Sequence, residues 1–124
     1  MTVTVASLVA ASVVLVSSII DYPSSGRFPM PYVVTATWKA KPGEEEAIRQ
    51  LLGRIVAASR EEPGCLLFWA HRSMVDDGLF FLYEQYASEQ AFREHAASAH
   101  VRDLVLDDAV ARLDVRQREF FETL

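Results

Sequence analysis

One cysteine, Cys65, is all that a chain of 124 residues contains. It can form no internal disulfide and no thiolate metal site, so the chain suits a reducing compartment and Cys65 reads as a small buried hydrophobe. Basic side chains are also few, twelve against seventeen acidic for a net charge of −5, and they are scattered. No electropositive stripe is available to follow a phosphate backbone, which excludes nucleic acid as an expected partner. There is no glycine-rich phosphate loop, no nucleophile elbow, no internal repeat and no low-complexity run beyond the first thirty residues. No Lys or Arg precedes the uncharged stretch Val3 to Ile20, and the first basic residue is Arg27, on its far side, which argues against a secretory signal.

That leader is near the lower limit of length for a membrane span. Three explanations stand: a weak anchor, an element that packs on the domain or its dimer mate, and a translation start upstream of a true Met30. The last two are preferred, membrane association is not the expectation, and a cytoplasmic location is. Asp21 to Pro29 holds two prolines and a glycine and reads as a linker. Residues 1–29 are thus an apolar leader and linker, and 30–124 a single domain, rich enough in apolar residues (51%) to bury a continuous core.

Tyr32 to Ala40 alternates as a strand does, with Tyr32, Val34, Ala36 and Trp38 on one face. Lys41-Pro42-Gly43 ends it. Glu44, Glu45 and Glu46 favour a helix N-terminus, and Ile48, Leu51, Leu52, Ile55 and Val56 form the stripe of a helix that must cover a sheet. Glu61-Glu62-Pro63-Gly64 stops it. Cys65 to Met74 and Leu79 to Tyr86 read as an antiparallel pair joined through Asp76-Asp77-Gly78. Ser88 caps a second helix whose inner stripe is Phe92, His95, Ala96 and Ala99; a break near Ser98 leads to a helical segment over His100 to Ala111, and Leu113 to Phe121 is a fourth strand. Strand, helix, two strands, helix, strand is the split β-α-β-β-α-β arrangement: an α+β, ferredoxin-like antiparallel sheet with both helices on one face. The bare face, bearing Thr35 and Thr37, predicts a homodimer.

Val33-Val34-Thr35-Ala36 with Lys41-Pro42-Gly43, then Glu62-Pro63-Gly64-Cys65-Leu66, then Leu82-Tyr83-Glu84-Gln85-Tyr86 with Ala91, Phe92 and His95, then Ser98-Ala99-His100-Val101, together resemble the antibiotic biosynthesis monooxygenase family across Met30 to Leu124. The resemblance implies a dimeric ferredoxin-like α+β barrel. It also implies a small oxygenase that oxidises an electron-rich phenol or hydroquinone with molecular oxygen and uses no flavin, haem or metal. Some relatives degrade haem, but their ligand histidine falls at Val105 and their first-strand asparagine at Ala36, so both hallmarks are missing here. The family's usual proline before the second histidine is replaced by Ala99, which weakens the expected break at Ser98.

Such a reaction needs a base to make the phenolate and a dry site to hold it. His95, on the inward stripe, is the first candidate, and its bland alternative is a core histidine bonded to a carbonyl. His100 matches the family's second histidine, but it could merely cap the next helix. Glu84 faces inward and must find a partner such as Arg72, a histidine or a main-chain donor. Tyr86 matches the family's cavity aromatic; Trp38, Trp69, Phe92 and His71 complete the expected substrate contacts, although aromatics in such stripes are more often plain core. A metal site is not expected, because residues five apart on a continuous helix point about 140° apart, so His95 and His100 cannot both ligate unless the helix breaks between them. Two other readings stay open. A non-redox isomerase of a small polar or phosphorylated metabolite would need clustered cations, for which only Arg72 and Arg93 stand out. A non-catalytic dimeric binding domain would have its histidines satisfied by packing.

Overall fold

The computed structural model describes residues 30–124; the leader and linker readings fall on residues 1–29, outside the described part. Strand β1 (Tyr32–Ala40) leads through Gly43, whose φ of 87° is reserved for glycine, to helix α1 (Glu45–Arg60). Strands β2 (Cys65–Arg72) and β3 (Leu79–Tyr86) follow, then helix α2 (Glu89–Ala96), a short α3 (Ala99–Val101) and strand β4 (Leu113–Glu122). The sheet order is β2-β3-β1-β4 with every neighbouring pair antiparallel, the ferredoxin-like topology.

Ile48, Leu51, Leu52 and Ile55 of α1 are buried, as their spacing requires, against the sheet face carrying Ala36, Trp38, Phe68, Phe80 and Leu82. A second, smaller cluster holds Val34, Tyr86, Ala91 and Phe92, at the other end of the same face. Rows across the sheet are set by register: Glu84, Val34 and Phe120 lie side by side, then Leu82, Ala36 and Arg118, then Phe80, Trp38 and Arg116. Along β4 only Leu113 is buried, so beside α2 the inner face of this edge strand forms an open shelf bearing Arg116, Arg118 and Phe120.

Two local expectations are corrected, and one detail of β2 is added. Strand β2 ends at Arg72 rather than Met74, because the chain turns at Ser73, whose hydroxyl accepts from the backbone N–H groups of Val75 and Asp76. A bulge after Cys65 moves that residue to the helix side, away from the face of Leu67, Trp69 and His71. The helical run over His100 to Ala111 is not one α-helix: α3 widens into a π-type turn at Arg102–Leu106 and closes with a 3₁₀ turn at Ala109–Arg112. Among the described residues, no helix is long and apolar enough to cross a membrane.

Candidate functional site

The site grows from two helix ends. Helix α1 stops before Pro63, and the turn that follows, with Glu62 N–H donating to Ser59 O and Cys65 N–H to Glu62 O, holds the Glu62 carboxylate inward. Gly64 lets this turn press on α2: a Cβ there would stand 2.6 Å from Ala91 Cβ. Helix α2 begins at Ser88, whose hydroxyl accepts from Ala91 N–H, and turns Ala91, Phe92 and His95 inward.

At Ser98 the chain breaks despite Ala99. The Ser98 hydroxyl donates to His95 O at 2.7 Å, while its backbone, at φ −67° and ψ 155°, caps α3 as its side chain accepts from Val101 N–H. The break lifts the premise on which His95 and His100 were kept apart. Their ring centroids are 5.8 Å apart, and both reach one carboxylate oxygen: Glu62 Oε1 lies 2.8 Å from His95 Nδ1 and 2.7 Å from His100 Nε2.

The three donor atoms lie within 4.8 Å of one another, so Glu62, His95 and His100 are the described residues that could hold a metal ion. The short contacts fit hydrogen bonds better. Ligand atoms held at about 2.0–2.1 Å around one tetrahedral ion stand roughly 3.3 Å apart, wider than the 2.7 and 2.8 Å found here.

His95 is buried, and its ring packs on Tyr86, Phe68 and Phe92 at centroid distances of 5.1, 5.7 and 6.3 Å. Burial, with the Arg118 charge adding to it, pushes its pKa down to about 4, so the ring is neutral near neutral pH. With Glu62 ionised, the acceptor at Nδ1 fixes the ring proton there and leaves the Nε2 lone pair as the basic atom. Nε2 makes no hydrogen bond to any described residue, and no buried side-chain nitrogen or oxygen among them lacks a partner, which leaves Nε2 open to a ligand. Burial also raises the Glu62 pKa, against the opposing pull of His100.

Glu84 finds its partner not in Arg72 but two residues along its own strand: the Tyr86 hydroxyl donates to Glu84 Oε2 at 2.5 Å. Burial pushes the Glu84 carboxyl up to about 7 and the Tyr86 phenol well above its ordinary range, while Arg118 and Arg116 draw Glu84 partly back. Cys65, half-buried beside them, has its thiol pushed up to about 11 by burial and is not a thiolate at neutral pH.

Of the expected contacts, Tyr86 and Phe92 stand with His95, and His100 joins through Glu62. Trp38 is buried in the larger core instead. Trp69 and His71 lie on the opposite face of the sheet: alternation from buried Phe68 turns them outward, where they stack on each other and Trp69 is 51% exposed. A cleft of about 230 Å³ opens beside His71 and Arg72, and one of about 390 Å³ lies on the bare face between Thr35, Phe81 and Phe121; neither is lined by His95 or Tyr86.

Two participants escaped sequence reading. Glu62 was visible as a helix stop and as part of the family pattern but carried no role, since nothing in strand or helix periodicity says that α1 ends opposite α2. Arg118, whose guanidinium lies 5.7 Å from the Phe92 ring and 5.8 Å from that of Phe120, carried a signal that could have been used: Arg116, Arg118 and Phe120 alternate on one face of the last strand.

The family profile of antibiotic biosynthesis monooxygenases matches residues 31–105. In sequence the chain is 34% identical over 70 residues to "Putative monooxygenase Rv0793" of Mycobacterium tuberculosis, an alignment spanning 56% of this chain and 68% of that one. In structure it is similar to the same Mycobacterium protein, with a TM-score of 0.70 at 26% identity over 76% of this chain and 95% of the other. It is similar also to PA3566 from Pseudomonas aeruginosa, with a TM-score of 0.74 at 30% identity over 80% and 99%. These matches support a monooxygenase-type function in general terms. A shared topology with both solved structures, and a profile covering most of the described domain, establish that the chain belongs to the antibiotic biosynthesis monooxygenase family.

Proposed function

We propose that the protein oxidises a small phenolic or hydroquinone substrate with molecular oxygen and needs no cofactor, acting as a homodimer. The observation that carries the reading is the Glu62–His95 contact of 2.8 Å, which aims an unpartnered Nε2 from among the rings of Phe68, Tyr86 and Phe92. A neutral phenol is a poor reductant and its anion a good one, so the protein's task is to take the proton at Nε2 and hold the anion beside the rings. Hydroquinone oxidation then balances within the pair: the substrate loses two electrons and two protons, and oxygen leaves as hydrogen peroxide. In a monooxygenation the substrate supplies every electron, one oxygen atom enters it and the other leaves as water.

The dimer rests on the bare face, where Trp69, Phe81 and Phe121 are 44–51% exposed on one side of the sheet, an apolar array that a second subunit would cover. Oxygen consumption by purified, metal-free protein across a panel of hydroquinones tests the activity. Uptake that falls at least about a hundredfold in His95→Ala is expected of a lost general base. Absence of uptake with every member of the panel, or an unchanged rate in His95→Ala, refutes it.

A further inference from the structure

Basic residues elsewhere in the described domain mostly have partners: Lys39, Arg49, Arg93, Arg102 and Arg112 pair with carboxylates, Lys41 donates to the Ala111 carbonyl, and Arg60 donates to the Phe68 carbonyl. Arg54, Arg72, Arg116 and Arg118 have none among the described residues, and of these Arg116 and Arg118 stand together on one strand, although the chain as a whole is acidic. They are adjacent on one face of β4, about 7 Å apart by strand rise, and their register puts them across from Trp38 and Ala36.

Arg118 is not a plain surface charge. The Arg118 guanidinium is flanked by the Phe92 and Phe120 rings, at 5.7 and 5.8 Å. Contact with ring faces leaves the in-plane N–H groups of a guanidinium unused, and that rigid fork matches a carboxylate or an aryl oxide. Phe120 packs in turn at a tilt on Tyr32 and edge-on to Phe92, which gives a planar ligand an apolar wall next to the cation. Arg116 is exposed two residues away from Arg118 on the same face, and the neighbouring Arg118 charge disfavours its own, a repulsion that a bound anion would relieve.

We propose that Arg118 and Arg116 form an anion subsite on the open shelf of β4, and that the substrate is a hydroxylated aromatic acid. In this arrangement Arg118, the cation nearer His95, holds the reacting phenolate, and Arg116 holds a carboxylate elsewhere on the ring system. The assignment deepens the oxidase reading and rests on it for the role of Arg118; the binding preference itself does not. It also separates the shelf from a sugar-phosphate site, since aromatic walls add nothing to a phosphate.

Equilibrium binding to the full chain would compare a dihydroxybenzoate, its methyl ester and inorganic phosphate, for the wild type, Arg116→Gln, Arg116→Lys and Arg118→Gln. The benzoate should bind at least about tenfold tighter than the ester, as one charge-assisted contact supplies. That preference should fall to within about twofold in Arg116→Gln and return in part in Arg116→Lys, with the circular dichroism of each variant unchanged to exclude misfolding. Equal binding of acid and ester by the wild type, a preference that survives both glutamine variants, tighter binding of phosphate than of the benzoate, or binding of none of the three overturns the proposal. Oxygen uptake recorded in the same samples keeps the two readings apart: acid preference without uptake sinks the oxidase alone, and uptake without acid preference sinks the anion subsite alone.

Discussion

Replacing Glu84 by Gln changes the pH dependence of stability in a direction that the structure fixes. In the folded protein burial raises this carboxyl from 4.5 to about 7, whereas the unfolded chain ionises it normally. Between those values the folded state holds a proton that the unfolded state has released, so ionisation favours unfolding. The stability present below pH 4.5 is lost as pH rises towards 7 and is lost no further above it. About 2.5 units at 1.36 kcal/mol each put the full cost near 3 kcal/mol, of which roughly 2–3 kcal/mol accrues between pH 5 and pH 8. Glutamine cannot ionise, yet its amide oxygen still accepts from the Tyr86 hydroxyl. The gain of Glu84→Gln over wild type should therefore grow by that amount across the window, measured by urea denaturation at fixed protein concentration. The comparison is needed because His95 works the other way: its folded pKa lies below its unfolded one, so its contribution is present above pH 6.5 and falls as pH drops towards about 4. The variant removes one limb and leaves the other. A difference between the two proteins that is constant from pH 5 to pH 8 would refute the buried, proton-holding carboxyl.

Ala99→Pro should be accepted and should stabilise the fold by about 0.4–1 kcal/mol in the same assay, because Ala99 is the first residue of α3 and Ser98 before it is already extended, as proline demands. Gly64→Ala should cost about 1–3 kcal/mol and lower any activity with it, since the added carbon would meet Ala91 Cβ at 2.6 Å and push α2, with His95, away from Glu62; denaturation together with oxygen uptake checks this. Phe81→Glu places a charge in the middle of the bare face, where the side chain is 44% exposed. Sedimentation should show monomers for this variant and dimers for the wild type.

The topology was legible because its signals are local: Tyr32 to Ala40 alternates, Ile48 to Ile55 repeats at helical spacing, and Pro63 and Gly78 punctuate them. The inward aim of His95 followed from the same periodicity. What stayed hidden depends on how elements meet. Glu62 belongs to the site only because α1 ends where α2 passes, 33 residues later in the chain. The convergence of His100 depends on the ψ angle of one serine, where the expected break is found although Ala99 in place of proline weakened the expectation. Trp69 and His71 were assigned to the site by residue type, whereas the alternation that turns Phe68 inward sends both to the other face.

For the proposed proton transfer, a His95 base held at about 4 is too weak on its own. An ordinary phenol, with a pKa near 10, would sit about six units above it, a gap of roughly 8 kcal/mol. That low value belongs to an empty site, and Arg118 is one of its causes. Under the proposed transfer, an imidazolium would stand against the Glu62 carboxylate, already beside it in the free protein, and a phenolate against Arg118. Two unit charges 4 Å apart at an effective dielectric constant of 20 attract by about 4 kcal/mol, so the Arg118 pairing that the substrate adds would cover about half of the gap, and the attraction between imidazolium and phenolate would add to it. On the proposed mechanism the anion is stabilised by the imidazolium and the arginine together, which makes the cation on β4 and the acid after α1 parts of one proposed device with the histidine between them.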